Sequence, residues 1–135
     1  MNKQVSSSEE DVVKSAFAVR ELSYSPYSKF KVGAALLTGG NRIFNGCNVE
    51  NISFGLTICA ERAAVGAAVS TGSKDFQLLV IAADSTEPIV PCGACRQVLA
   101  EFCPDLRIIS VTLAGARASF FLDVLFPLPH QGILK

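Results

Sequence analysis

The chain has 135 residues, half of them apolar and 18% charged, with 12 basic and 12 acidic side chains. This length fits one domain over residues 1–135, and the high apolar and low charged fractions exclude a disordered chain. A formal net charge of zero without a basic cluster disfavours a nucleic-acid binder and favours a small-molecule partner.

The first predicted elements are a helix and a β-hairpin. Ser7, followed three residues later by Glu10, predicts a capping box, and apolar residues at helical spacing extend this helix to about Leu22. Residues 30–37 form a short apolar segment, and the turn sequence Thr-Gly-Gly-Asn separates it from residues 42–47, which can pair back with it. A turn of this composition between two such segments predicts a hairpin.

The second half of the chain alternates helices and strands. The predicted elements, in order, cover residues 59–70, 76–83, 93–102, 107–113 and 118–122. The continuous apolar run at 76–83 is typical of a central strand covered on both faces. This alternation predicts an α/β fold with a mixed five-stranded sheet. Prolines within residues 123–135 exclude one long helix there.

The chain has five cysteines and begins without a signal-peptide pattern, and no apolar run is long enough to span a membrane. We therefore expect a cytoplasmic protein with reduced thiols and no membrane partner. The large apolar fraction also indicates a homo-oligomer, whose interface would cover the excess apolar surface.

Three of the cysteines have the spacing of a zinc site. Cys92 and Cys95 form a C-x-x-C pair at a predicted helix start, a spacing that redox proteins also use, and Cys59 could complete three protein ligands. Three ligands leave a position open for water, as in catalytic zinc sites. Cys103 lies roughly 12 Å beyond Cys95 along the helix, too far to share the metal, whereas Cys47 stays an alternative fourth ligand.

Glu61 and Arg62 follow Cys59 in the first predicted helical turn. Glu61 could lie beside the metal without binding it and pass a proton from water to a substrate. The simpler interpretation is an acid that complements the helix dipole. Because three thiolates and one zinc ion carry a net charge of −1, we expect Arg62 to hydrogen-bond a thiolate; the alternative is a surface ion pair.

These motifs together resemble the cytidine deaminase family, in its small homotetrameric form with three cysteine ligands. The resemblance rests on four segments of the sequence, at residues 24–30, 46–51, 59–61 and 91–99. It implies a three-layer α/β/α fold and one zinc ion per chain bound by Cys59, Cys92 and Cys95, with Glu61 as the proton shuttle. The implied reaction, part of pyrimidine salvage, converts cytidine or deoxycytidine to uridine or deoxyuridine and ammonia.

The resemblance also assigns residues to the substrate. Asn48 and Glu50 match the pair that hydrogen-bonds the ribose hydroxyls, Phe30 matches the ring that packs on the pyrimidine, and Ala60 matches the residue whose backbone contacts the base. Without the resemblance, Asn48 and Glu50 would be interpreted as polar turn residues and Phe30 as ordinary core.

The sequence departs from the family pattern at two places. Phe54 stands where the family often has a tyrosine that a neighbouring subunit lends to the pocket. The family usually ends with a phenylalanine that closes a neighbour's pocket, and His130 occupies that position here. Either His130 stacks in its place, or Phe126 substitutes, or the closure is altered.

Two other classes of function stay open at this point. One is a deaminase for a different cytosine-like substrate, such as a nucleotide, an antibiotic nucleoside or a nucleic-acid base. A nucleotide would require positive charge near the sugar 5′ position, whereas Asn48 and Glu50 suit hydroxyls. The other is a catalytically silent, zinc-stapled module, which would need neither Glu61 nor an open coordination position.

Overall fold

The computed structural model describes residues 8–130. Its helices and strands, in chain order, are α1 (Glu9–Arg20), β1 (Val32–Thr38), β2 (Arg42–Cys47), a 3₁₀ segment (Phe54–Leu56), α2 (Ala60–Ser70), β3 (Phe76–Ala83), α3 (Gly93–Phe102), β4 (Arg107–Thr112), β5 (Arg117–Phe121) and α4 (Leu122–Leu125). The described part of residues 123–135 contains only the end of the four-residue helix α4.

The five strands form one sheet in the order β2-β1-β3-β4-β5. Only β3 and β4 pair in parallel, and the other neighbouring pairs are antiparallel. A parallel pair requires a crossover connection, and α3 provides it. The predicted mixed five-stranded sheet is therefore confirmed.

Helices cover both faces of the sheet. On one face, α1 buries Val12 and Ala16 against Ala35 and Val80; on the other, α2 and α3 bury their apolar faces against alternate residues such as Leu79. Consecutive residues of β3 point to opposite faces and are buried on both. This confirms the three-layer α/β/α architecture and the prediction that 76–83 forms the central strand.

The start of α1 lies one residue from the predicted position. Ser8 is the N-cap: its hydroxyl accepts from the backbone N–H of Asp11 at 3.2 Å, and the Asp11 carboxylate accepts from the Ser8 N–H at 3.0 Å. Ser7, the predicted cap, lies outside the described residues. Both Ser-x-x-acid patterns fit a capping box, so the sequence alone did not determine which serine begins the helix.

Other element ends differ from the predictions by a few residues. Helix α1 ends at Arg20 instead of Leu22, β1 begins at Val32 instead of Phe30, and β5 ends at Phe121 because the next residue begins α4. Such shifts at the ends of elements are usual. Within residues 8–130, no helix has the length and hydropathy needed to cross a lipid bilayer.

We predict that Ser8→Ala lowers the free energy of unfolding by about 1 kcal/mol, because the Asp11 N–H loses its capping partner. The matched control is Ser7→Ala, which should change this free energy by less than about 0.5 kcal/mol. Chemical denaturation of both variants measures the difference. An equal loss in Ser7→Ala would contradict this assignment of the cap.

Candidate active site

Three cysteine side chains meet where α2 and α3 begin. Cys59 is the N-cap residue of α2, Cys92 is the N-cap residue of α3, and Cys95 lies in the first turn of α3. Their Sγ atoms all lie within 4.8 Å of one another, at 3.9 Å between Cys59 and Cys92 and 3.6 Å between Cys92 and Cys95. Tetrahedral zinc with Zn–S bonds of about 2.3 Å separates its sulfur ligands by about 3.8 Å. The three thiols therefore fit a zinc ion.

The other two cysteines do not join this group. Cys47 and Cys103 are absent from the cluster, and the Cys103 thiol lies 3.4 Å from a carboxylate oxygen of Asp105. Cys103 was expected to be too distant, and Cys47, which the sequence left as an alternative fourth ligand, does not supply one in this arrangement. The cluster therefore contains three cysteine sulfur atoms and no fourth cysteine ligand.

Arg62 lies against the cluster, as its position after Cys59 suggested. Its Nη2 donates to the Cys59 Sγ at 3.3 Å. Hydrogen bonding to the neighbouring thiols holds the pKa of Arg62 above its usual range. Its Nε is buried and has no hydrogen-bond partner among the described residues. The guanidinium therefore places a permanent positive charge beside the sulfur atoms.

The thiols share their protons unequally. Hydrogen bonding from Cys95 lowers the pKa of Cys59 to about 5, and Arg62 adds to this lowering while burial opposes it. The pKa of Cys95 is raised, first by its hydrogen bond with Cys59 and then by desolvation. Of these two residues, Cys59 therefore carries the thiolate, which is the form that binds metal.

The Glu61 carboxyl is buried next to the cluster, and the residue is only 5% exposed. Its pKa is raised to about 7, mainly by desolvation. The charge on Cys59 contributes to the rise, while the Glu61 backbone N–H and Arg62 act in the opposite direction. A carboxyl group with a pKa in this range can both accept and release a proton at neutral pH.

A cavity of about 200 Å³ opens in front of Glu61 and the cysteines. Its lining residues are Val32, Asn48, Thr57, Cys59, Ala60, Glu61, Ile89, Val90 and Cys92. A second cavity of about 300 Å³ is lined by Tyr27, Ser28, Glu50, Phe54 and Thr57. Thr57 lines both cavities. Of the predicted substrate residues, Asn48 and Ala60 line the smaller cavity and Glu50 lines the larger one.

Asn48 is held by three hydrogen bonds at the exit of β2. Its Nδ2 donates to the Phe30 carbonyl at 2.8 Å, and its Oδ1 accepts from the Val32 N–H at 2.9 Å and from the Ser23 hydroxyl. One amide N–H stays available to a ligand. Phe30 itself does not line either cavity; its half-buried ring packs at the edge of the core that contains Val32 and Ala60.

Glu50 is held in place by the turn that follows α1. Its Oε1 accepts from the backbone N–H groups of Tyr27 and Ser28, at 3.0 and 3.1 Å, and its Oε2 accepts from the Ser28 hydroxyl. The Ser28 hydroxyl is the main cause that holds the pKa of Glu50 below its usual range, against desolvation, and the two backbone donors add to it. Glu50 is therefore an ionised, fixed hydrogen-bond acceptor.

Residues 6–111 match the family described as the cytidine and deoxycytidylate deaminase zinc-binding region. The chain belongs to this family. A cytidine deaminase from Halalkalibacterium halodurans is 44% identical over 117 residues, covering 86% of this chain and 89% of that protein. The crystal structure of cytidine deaminase from Burkholderia pseudomallei superposes with a TM-score of 0.86 at 41% identity, covering 89% of this chain and 97% of that one.

The resemblance inferred from the motifs is thus confirmed. A blasticidin-S deaminase from Bacillus cereus is a more distant relative, 31% identical over 111 residues, or 76% of this chain and 79% of that protein. The zinc-binding family and the geometry of the three cysteines together establish zinc as the cofactor.

The side chains that the resemblance linked to a neighbouring subunit's pocket are Phe54, Phe126 and His130. Phe54 is 71% exposed and its ring contacts Tyr27 edge-on, with 5.8 Å between ring centroids. Phe126 is half-buried and packs against the core, and His130 is half-buried at the end of the described chain. Arg96 links the end of α4 to the residue before Cys92: it donates to the carbonyls of Leu125 and Pro91, at 2.9 and 2.7 Å.

Several residues of the site had no sequence signal of their own. Thr57 lines both cavities, Ser23 donates a hydrogen bond to Asn48, and Ser28 donates to Glu50. All three lie in loops, where periodicity predicts nothing about contacts. Only Ser28 stood within a segment that carried the family resemblance.

We predict that Ser28→Ala raises the pKa of Glu50 toward its ordinary value of 4.5, because the carboxylate loses its main hydrogen bond. Since folding lowers this pKa, ionised Glu50 stabilises the fold above its unfolded pKa. That contribution is lost as the pH falls through the folded value. NMR titration of the Glu50 side chain measures the change. The control Ser53→Ala should leave the pKa as in the wild type, and an unshifted pKa in Ser28→Ala would rule out the hydroxyl as its cause.

Proposed function

We propose that the chain is a cytidine deaminase that hydrolyses cytidine and deoxycytidine to uridine and deoxyuridine, releasing ammonia, with one zinc ion per chain. The proposal treats residues 1–135 as one catalytic domain and assigns it to pyrimidine salvage in the cytoplasm. The observation that carries it is Glu61: a buried carboxyl that faces the same cavity as Cys59 and Cys92. A silent zinc-stapled module would not require an ionisable group buried beside an open cavity.

The assigned metal ligands are Cys59, Cys92 and Cys95. A zinc ion bound there supplies a Lewis acid that activates a water molecule for attack. Arg62 stabilises the thiolate form of Cys59 and offsets the negative charge of the three sulfur ligands. The N-termini of α2 and α3 act in the same direction, because their free N–H groups carry partial positive charge.

Glu61 moves the protons of the reaction. Its carboxylate takes a proton from the attacking water as the oxygen bonds to C4 of the cytosine ring, and it delivers that proton to N3. A second proton passes from the added hydroxyl to the exocyclic amine, the C4–N bond breaks and ammonia leaves. The atoms balance as one nucleoside and one water giving one deaminated nucleoside and one ammonia. Ala60, beside Glu61 in the cavity, presents its backbone to the base.

Asn48 and Glu50 are assigned to the sugar, and their remaining hydrogen-bonding capacity supports acceptance of both ribose and deoxyribose. Asn48 retains one donor, and Glu50 retains about one acceptor position. We propose that one hydroxyl donates to Glu50 and accepts from Asn48 at the same time. The pair can therefore be satisfied by the 3′ hydroxyl that both sugars share. We assign Phe30, whose carbonyl accepts from Asn48, to packing on the pyrimidine on the basis of the family resemblance.

A nucleotide substrate is less well supported. Among the described residues, neither cavity is lined by a lysine or an arginine. The carboxylate of Glu50, which lines the larger cavity, would repel a phosphate. Lys29 is close enough to lower the pKa of Glu50 but lines neither cavity. A nucleic-acid substrate is disfavoured by the same lack of positive charge and by the zero net charge of the chain.

The experiment that tests this function combines metal analysis with a substrate panel on one purified sample. We expect about one zinc ion per chain, loss of ultraviolet absorbance with cytidine and deoxycytidine, and no turnover of cytidine monophosphate. Glu61→Gln should retain zinc and lower kcat by at least about 100-fold, because a general acid–base group is removed.

Glu101→Gln is the matched control, since Glu101 is exposed on α3 away from the cavity, and it should keep wild-type activity. A Glu61→Gln variant as fast as the wild type would reject the proton-shuttle role. Turnover of blasticidin S alone would replace cytidine by an antibiotic nucleoside as the substrate.

We also propose that the chain assembles as a homotetramer in which neighbouring subunits complete each pocket. Ile52, Phe54 and Leu56 form an apolar projection, with exposed fractions of 79%, 71% and 67%, next to a cavity that Phe54 itself lines. A monomer rarely exposes large apolar side chains so close together. Phe54, and either Phe126 or His130, are the side chains assigned to a neighbour's pocket.

Light scattering should give four times the mass of one chain. Leu56→Asp should shift the protein to smaller assemblies, because a carboxylate would be buried in the interface. Asn51→Asp, an exposed position on the same loop, is the charge-matched control and should stay tetrameric. A wild-type protein that is monomeric at all concentrations would contradict the tetramer.

A further inference from the structure

Gly46 lies under the first turn of α2, on the face of the sheet that carries the cysteine cluster. It is the fifth residue of β2, opposite Ala34 of β1. A Cβ atom at this position would lie 2.5 Å from the carbonyl oxygen of Ala60 and 2.8 Å from the Cβ of Ala63, with the backbone nitrogen of Ala64 equally crowded. Two of these three atoms belong to the backbone of α2, which cannot rotate away as a side chain can.

The residues that meet Gly46 are the neighbours of the reactive groups. Ala60 stands between Cys59 and Glu61, and Arg62 follows in the same turn. An ordinary van der Waals contact requires at least 3.4 Å, so a methyl group at Gly46 would displace this turn by about 1 Å. A displacement of that size would carry Cys59 and Glu61 with it.

The other two sulfur atoms are carried by the start of α3 and not by α2. Cys92 and Cys95 are positioned by α3, which buries Leu99 in the core, and by Arg96, which bonds the carbonyls of Pro91 and Leu125. The atoms closest to Gly46 all belong to α2. A change at Gly46 therefore moves one ligand relative to the other two.

We propose that Gly46 is a positioning residue for the metal centre: the missing side chain lets α2 approach β2 closely enough to bring Cys59 and Glu61 into register with Cys92 and Cys95. This inference deepens the proposed function and rests on it. A metal site tolerates deviations of about 0.2 Å in its ligand distances, so a shift of about 1 Å in one of three ligands exceeds the tolerance several-fold.

The chain contains a matched control on the opposite face of the sheet. A Cβ at Gly33 of β1 would lie 2.7 Å from the backbone nitrogen and 2.8 Å from the Cβ of Arg20, and closer still to the Ala16 carbonyl. These atoms belong to α1, which carries none of the cysteines. Gly33→Ala therefore crowds a helix against the sheet as severely as Gly46→Ala does, but away from the metal centre.

A second control lies in α2 itself. Gly66 is exposed, and apart from its own helix an added Cβ there would meet no atom of residues 8–130 within 4 Å. Gly66→Ala tests whether any glycine-to-alanine change in this helix disturbs the site. It should be at least as stable as the wild type, because alanine replaces glycine in a helix interior.

The test compares Gly46→Ala, Gly33→Ala and Gly66→Ala in the full-length protein by three measurements: Tm, zinc affinity by chelator competition, and the ligand-field spectrum of the cobalt(II)-substituted protein. We expect Gly46→Ala to weaken zinc binding by about 10- to 100-fold, the range for residues that support metal ligands, and to alter the cobalt spectrum. Gly33→Ala should lower Tm with zinc affinity and spectrum unchanged, and Gly66→Ala should match the wild type in both.

The proposal is overturned if Gly46→Ala keeps wild-type zinc affinity and spectrum, or if Gly33→Ala changes them equally. Should Gly46→Ala fail to fold, Ala63→Val enlarges the same contact from the helix side, and unchanged zinc binding in that variant overturns the proposal. A wild-type protein without zinc or activity would instead reject the proposed function, and with it this role. If the wild type is active and Gly46→Ala has the same zinc affinity and cobalt spectrum, the role of Gly46 is rejected and the proposed function is not.

Discussion

The structure depends on two helix starts meeting at one side of the sheet. Cys59 and Cys92 are 33 residues apart in the chain, yet their sulfur atoms are 3.9 Å apart. One C-x-x-C pair supplies two ligands, so the third must come from another element whose position is set by core packing. The packing of α2 and α3 on the same face of the sheet, through buried residues such as Ala64 and Leu99, fixes that distance. Fold stability and metal geometry therefore depend on the same contacts.

Two neighbouring residues of α2, Glu61 and Arg62, have different electrostatic roles in the site. Successive residues of a helix point about 100° apart, so Glu61 and Arg62 can serve different partners. Arg62 bonds the Cys59 sulfur, and Glu61 faces the cavity in a setting that raises its pKa by desolvation. The positive charge of Arg62 favours the thiolate form of Cys59. Burial favours a Glu61 carboxyl that can accept a proton, so one helical turn provides both groups.

The sequence was informative where chemistry requires a fixed spacing. The C-x-x-C pair, the Cys-Ala-Glu triplet and the apolar run of β3 predicted the metal ligands, the position of Glu61 and the central strand. It was uninformative where a contact is made by loops or by a choice between equal patterns. Two overlapping Ser-x-x-acid patterns left the cap of α1 undetermined, and nothing local marked Thr57 as the residue shared by two cavities. The close approach at Gly46 was equally invisible, because a small residue in a strand indicates many different contacts.

The loops that carry the proposed sugar-binding residues are already ordered by hydrogen bonds within the protein. Asn48 and Glu50 each use most of their hydrogen-bonding capacity on the protein, with Ser23, Ser28 and the backbone as partners. Polar groups already fixed in this way need not lose side-chain freedom when a ligand arrives, so more of the interaction energy remains as affinity. The same saturation limits what can bind, since each residue retains only one free position of a single kind. If Asn48 and Glu50 bind the sugar as proposed, the hydrogen bonds that hold these loops are also the source of their selectivity.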